Sequence, residues 1–215
     1  MIELEVLIKP ICLFTLGSSE PSTIIDIPFY KVSTPTGDEP TIPGSSVKGA
    51  LRSSATVIAN DLGLTSCGEI DPERMSEKHS KMGGLCDVCK LFGAPNSPSN
   101  LLISSFKPLK PLDLVTITQV SIDDLRMRAI EGRLFTREAV PPGTVFKGKL
   151  TLLRDKPLFV KLLLASLINL RFEVLGQHGV VDVKVENIKG LEATELDSLS
   201  LKLLKSLERW WYELP

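Results

Sequence analysis

Three observations predict an α+β fold with helices on one face of a mainly antiparallel sheet. Short β-branched or alternating runs recur along the chain, a few longer runs carry apolar residues at helical spacing, and the two kinds are interleaved, not segregated. From Ile2 to Phe14, Leu4, Val6 and Ile8 alternate with Glu3, Glu5 and Lys9, the signature of a first strand covered on one side, and Pro10 implies an edge or a bulge there. Gly17 to Thr41 is dense in Ser, Thr, Pro, Gly and Asp, and a connection of that length is usually functional or disordered. Ile42-Pro43-Gly44-Ser45-Ser46 then starts a helix, capped by serine, whose apolar face runs through Val47, Leu51, Ala55 and Ile58 to an end near Leu62-Gly63.

Residues 65–98 hold three of the four cysteines and one of the two histidines among several glycines and prolines, which predicts an irregular insertion with no core of its own. Leu101 to Phe106 and Leu112 to Val120 follow as strands, then a charged arm from Ser121 to Glu138 that ends at Pro141-Pro142-Gly143. Val145 to Leu153 is a further strand, Pro157 to Val174 a helix apolar on most sides, and Val180 to Val185 a final strand. Leu196, Leu199, Leu203, Leu207 and Trp210 give a closing amphipathic helix, with Trp210-Trp211-Tyr212 packing on the core or offering one Trp to a neighbour. Strand, helix, strands, helix, strand is the order of a ferredoxin-like (RRM-like) layer, here a single domain over residues 1–215.

Composition bounds the function. With 43% hydrophobic and 24% charged residues in a chain of 215, disorder and fibrous repeats are excluded. The longest apolar stretch, Leu158 to Leu170, is interrupted by Lys161 and Asn169 and falls short of the roughly 18 residues a membrane span needs, so no membrane partner is expected. Acids stand at Glu3 and Glu5 where a signal peptide carries bases, which leads to the expectation of a cytoplasmic protein with reduced cysteines. A net charge of −1 argues against a free-standing DNA binder and leaves room for a local basic groove.

Four residues offer metal chemistry. Cys86-x-x-Cys89 with His79 and Cys67 upstream supplies three thiolates and an imidazole, the ligand set of a closed structural Zn2+ site, although another group could stand in for Cys67. A redox Cys-x-x-Cys is the competing reading, but that motif normally opens a helix just after a strand, and here Gly83-Gly84 precede it. Cys12 reads as a core residue. At the helix start, free N–H groups with the Ser45 and Ser46 hydroxyls make a site for phosphate oxygens, Lys48 and Arg52 share a face four residues apart, and Gly44 and Gly49 allow close approach. The same stretch also suits an ordinary capped helix with two solvated bases.

Three segments carry a family resemblance. Ile42-Pro43-Gly44-Ser45-Ser46-Val47-Lys48-Gly49-Ala50-Leu51-Arg52 resembles the helix-one signature of the RAMP superfamily of CRISPR proteins. Cys86-Asp87-Val88-Cys89-Lys90-Leu91-Phe92-Gly93 and the run from Gly132 to Thr144 resemble the cysteine motif and the segment leaving the hairpin thumb of the Csm-type backbone subunit of type III CRISPR-Cas effector complexes. The family's glycine-rich late loop is reduced here to Leu175-Gly176-Gln177-His178-Gly179, where His178 reads as a loop residue or a general acid or base.

The resemblance implies a zinc-stabilised insertion over residues 65–98 and a thumb over residues 119–143. It implies CRISPR RNA and target RNA as ligands, with further copies of the chain and other type III effector subunits as partners. Arg126, Arg128 and Arg133 would hold phosphates, while Met127 and Ile130 would wedge between bases. Asp26, in Ile24-Ile25-Asp26-Ile27-Pro28, would be the acid required for Mg2+- or Mn2+-dependent cleavage of target RNA, with Asp38 and Glu39 as weaker candidates. A non-catalytic structural RNA-binding subunit is the alternative, since related subunits keep the scaffold and lack the acid. The superfamily's repeat-processing endonuclease typically uses an early histidine, and none precedes His79.

Overall fold

Alternation at the N-terminus becomes a central strand. In a computed structural model, which describes residues 1–18, 24–35, 37–177, 179–191 and 196–213, β1 (Ile2–Pro10) buries Leu4, Val6 and Ile8 beneath the helices and turns Glu3 and Glu5 outward. Later strands pair antiparallel on both its sides. β8 (Phe146–Leu152) sets Leu150 against Leu4 and Phe146 against Ile8, and β10 (Gly179–Lys189) sets Val185 against Val6 and Val183 against Ile8, with a bulge at Glu5/Val6. The sheet order is β4-β8-β1-β10-β9, with β4 (Leu101–Ile103) and β9 (Val174–Leu175) outermost and β5 (Lys107–Pro108) against the far end of β8. Two hairpins stand apart from it, β2 (Lys31–Thr34) with β3 (Gly37–Pro40), and β6 (Val115–Asp123) with β7 (Arg128–Ala139).

Five α-helices are described. α1 (Gly44–Ile58) and α4 (Pro157–Asn169) pack on each other over the inner face of the sheet, α5 (Ser198–Leu207) leans on α4, and α2 (Pro72–Lys81) and α3 (Asp87–Phe92) fill the insertion. The apolar α4 is buried on nearly every side, from Phe159 through Leu167, so truncating a residue such as Leu163 to Ala would cost on the order of 2–5 kcal/mol. On the outer face, Lys149 pairs with Glu3, and Lys147 bridges Glu5 and Glu186, so the charges there satisfy one another and no aromatic side chain of β1 or β8 covers them. Among the described residues no helix is long and apolar enough to cross a membrane.

Several expected boundaries shift for physical reasons. The insertion is helical, because Asp71 accepts from the Glu73 and Arg74 N–H groups as an N-cap with Pro72 at the first helical position, a start signal that the glycines on either side obscure. No serine caps α1; Pro43 occupies the cap position without a side-chain bond, which places Ser45 and Ser46 inside the first turn. Gly44 serves packing, since a Cβ there would lie 2.4 Å from the Ile103 carbonyl oxygen on β4, while Gly49 faces open space. The helix expected to reach Val174 stops at Asn169, because Arg171 is drawn into the core to pair with Asp182 at 3.0 Å and to donate to the Ser206 and Arg209 carbonyls. Asp182 in turn accepts from the Trp211 and Tyr212 N–H groups, so the chain leaves α5 after Leu207 and the aromatic cluster lies beyond the helix. Cys12 sits past the end of β1, only half-buried, where its sulfur accepts from the Val180 N–H. His178 lies outside the described residues.

α5 hangs on its own cap. Hydrogen bonds from Ser200 and then the nearby Lys161 ammonium hold the Asp197 carboxyl down to about 2, so its contribution is complete above about pH 4 and fades as the pH falls through about 2. Asp197→Ala should lower unfolding stability by about 1 kcal/mol at neutral pH, and in urea titrations the difference from wild type should shrink steadily from pH 4 to pH 2.

Candidate metal centre and nucleic-acid interface

Sequence-distant ligands converge. Cys67 leads into α2, His79 lies near the end of α2, Cys86 caps α3 and Cys89 sits one turn into it, and one donor atom from each falls within 4.8 Å of the others. All four are buried, and the cysteines are free thiols. The Cys67 and Cys89 sulfurs are 3.6 Å apart, far beyond a disulfide and close to the separation of about 3.8 Å that two sulfurs adopt on one tetrahedral zinc. His79 Nε2 is buried with no hydrogen-bond partner, an orphan that would cost roughly 1–3 kcal/mol unless a metal or another group takes its lone pair. The residues fit a closed Zn2+ site, and the metal would clamp a segment whose own apolar residues, Met75, Val88, Leu91 and Phe92, only extend the main core.

The thiols are already uneven. Hydrogen bonding from Cys89 pulls the Cys86 thiol down to about 4, and that same bond, with burial, pushes the Cys89 thiol up. A metal held by these sulfurs would need them as thiolates, so its binding would release protons. Contrary to the sequence argument against redox chemistry, Cys-x-x-Cys does open a helix here, but a turn and not a strand leads into it, and His79 and Cys67 complete a four-donor set.

The predicted interface residues divide. Ser45 is exposed and Ser46 and Lys48 are half-buried in the first turns of α1; burial, and then the Arg52 charge, draws the Lys48 ammonium below its ordinary value. Arg52 points elsewhere. Its guanidinium donates to the Gly93 carbonyl at 3.0 Å and to the Cys89 sulfur at 3.2 Å, so it belongs to the cysteine cluster and not to a shared basic face with Lys48. The i, i+4 spacing was a sound guide to the helix face but not to the direction of a long side chain.

β6 and β7 form the projecting hairpin, running from Val115 to Ala139, so it starts before the expected thumb and ends before Pro141. The turn residue Met127 takes a φ of 49° and is largely exposed. Leu125 stands out furthest, with Ile122 and Leu134 also exposed, whereas Ile130 is half-buried. Arg128 and Arg133 have no ion-pair partner among the described residues, and Arg126 reaches Asp123 only at 4.0 Å.

Asp26 is exposed beside the base of this hairpin. Its Oδ2 accepts from the Thr136 N–H at 2.6 Å and the Thr136 hydroxyl at 3.0 Å, bonds that hold its carboxyl below the usual carboxylate range. The chain around it is stitched to β7 as well, the Ile27 N–H to Thr136 O and the Phe29 N–H to Glu138 Oε2. Sequence reasoning missed Thr136 altogether, for 110 residues separate it from Asp26. Asp38 and Glu39 lie on the β2–β3 hairpin, engaged by Ser33 and Lys107.

A family model described as the RAMP superfamily matches residues 26–211. No curated protein matches the chain.

Protein purified without chelators should carry one zinc per chain by elemental analysis, and stripping it should lower helical circular dichroism as α2 and α3 loosen. Metal-free protein of unchanged helicity would contradict this.

Proposed function

The chain belongs to the RAMP superfamily, and from that membership and the site geometry we propose that it is a backbone subunit of a type III CRISPR interference complex, of Csm type. We read the core as ferredoxin-like, a reading supported by β1 at the centre of an antiparallel sheet with α1 and α4 on one face. The outer sheet face, closed by its own ion pairs, is a poor platform for stacked bases. RNA would instead follow the first turn of α1, through Ser45, Ser46 and Lys48, and the β6–β7 thumb, through Arg126, Arg128 and Arg133. Met127, Leu125 and Ile130 are the apolar groups available to part neighbouring bases of a guide–target duplex, and guide pairing would supply sequence specificity. Copies of the chain, other effector subunits, CRISPR RNA and target RNA are the partners, in the cytoplasm.

Asp26 is the proposed acid for target-RNA cleavage. The single observation that carries it is the pair of Thr136 donors that fix an exposed carboxylate at the thumb base. A carboxylate held so acidic is a weak acceptor for a ribose proton and a good oxygen ligand for a hard cation, which favours Mg2+ or Mn2+ over direct base catalysis. The bound cation would supply Lewis-acid stabilisation of the attacked phosphate. A second reading rests on the same bonds: if Asp26 serves only to staple the 24–30 segment to β7, the chain is a structural RNA-binding subunit without nuclease activity.

In the reconstituted complex with Mg2+ or Mn2+, Asp26→Ala should reduce target cutting at least about 100-fold with assembly and RNA binding retained, and Thr136→Val, which removes one of the two donors, should reduce it less. Unchanged cutting by Asp26→Ala would leave the structural reading. Replacing Arg126 and Arg128 together by Ala should weaken RNA binding and flatten its log–log salt slope by roughly 1 to 2; an unaltered slope would put both arginines in solvent.

A further inference from the structure

We propose that Arg52 is a built-in charge partner of the metal centre, a positioning residue that holds the Cys89 sulfur, and not a phosphate contact. The inference rests on the metal reading of the Cys67, His79, Cys86 and Cys89 cluster and goes beyond it. Three thiolates and a neutral imidazole around a divalent zinc leave one net negative charge in a buried place, where an uncompensated charge is expensive. Of the insertion's own cations, Arg74 and Lys81 are exposed on α2, and the other two are paired with carboxylates. Lys78 pairs with Glu69 at 2.7 Å and donates to the Cys67 carbonyl, and Lys90 pairs with Asp87 at 2.9 Å. Arg52 has no carboxylate partner among the described residues, and its Nη2 lies 3.2 Å from Cys89 Sγ and 3.5 Å from Met75 Sδ.

The geometry uses what is particular to a guanidinium. One arm of the planar fork, Nη1, is pinned at 3.0 Å to the carbonyl of Gly93 just beyond α3, which aims the other arm at the sulfur. A lysine ammonium at the end of a flexible stem lacks the second arm and would fix the sulfur less well. Hydrogen bonds to ligand atoms orient them and tune metal affinity, with losses of 10- to 100-fold when they are removed. Because Arg52 sits on α1 and the ligands on the insertion, the bond also ties the helix that carries Ser45, Ser46 and Lys48 to the metal centre.

The test compares full-length wild type, Arg52→Met, Arg52→Lys and Lys48→Met. Competition for Zn2+ against a chromogenic chelator should show Arg52→Met retaining the metal roughly 10- to 100-fold less tightly, Arg52→Lys in between, and Lys48→Met like wild type. With Co2+ in place of zinc, the thiolate-to-cobalt charge-transfer bands should shift in Arg52→Met and stay put in Lys48→Met. The RNA salt slope should fall in Lys48→Met and hold in Arg52→Met when zinc is saturating. Wild-type zinc affinity and cobalt spectrum in Arg52→Met would overturn the proposal, as would a reduced salt slope in that variant. If Arg52→Met does not fold, Arg52→Lys decides, wild-type retention there again overturning it. A wild-type chain that takes up no zinc would fail the metal reading itself, a separate outcome.

Discussion

Bringing three sulfurs and an imidazole within 4.8 Å in a buried place is the constraint from which much of the remaining architecture follows. Met75, Val88, Leu91 and Phe92 bury the insertion against the main core, but burial alone leaves His79 Nε2 without a hydrogen-bond partner. The insertion that supplies them has a capped helix, α2, and a helix of only six residues, α3, too short to stand in water alone. A tetrahedral metal bound by these four donors would make that arrangement favourable. The orphaned His79 nitrogen and the sulfur-directed Arg52 both belong to this cluster.

Electrostatics then sort the surfaces of a nearly neutral chain. On the outer sheet face Glu3, Glu5 and Glu186 consume Lys147 and Lys149, and in the insertion Lys78 and Lys90 are paired. Lys48 on α1 and Arg128 and Arg133 on the β6–β7 hairpin, where an RNA backbone is proposed to run, are among the bases without an ion pair in the described residues. The hairpin also carries acids: Asp123 lies 4.0 Å from Arg126, Asp124 and Glu131 are exposed, and at its base Asp26 and Glu138 are tied down by Thr136 and Lys31. Asp26 is thereby oriented by the hairpin that is proposed to hold the RNA.

What was legible in the sequence was periodic or spaced. Alternation at Leu4, Val6 and Ile8 revealed the central strand, helical spacing revealed α1, α4 and α5, and the spacing of Cys86 and Cys89 with an upstream Cys and His revealed the four donors. Misreadings arose where a contact, not a pattern, decides. Gly44 looked like room for a ligand and is room for the β4 backbone; Arg52 looked like a partner of Lys48 and is a partner of Cys89. The Arg171–Asp182 pair and the Asp26–Thr136 bonds join positions whose meeting no local signal announces, and the first of these ends α4 early. The Asp71-Pro72 start of α2 was readable as a cap, but glycines around the insertion argued for irregular chain.

Hydrogen exchange measured by mass spectrometry on the assembled complex, with and without CRISPR RNA, tests the central claim most directly. RNA should slow exchange in the first turns of α1 and along the β6–β7 hairpin, and leave the outer face of β1 and β8 unaltered. Slowed exchange confined to that outer sheet face, with α1 and the hairpin unaffected, would contradict it.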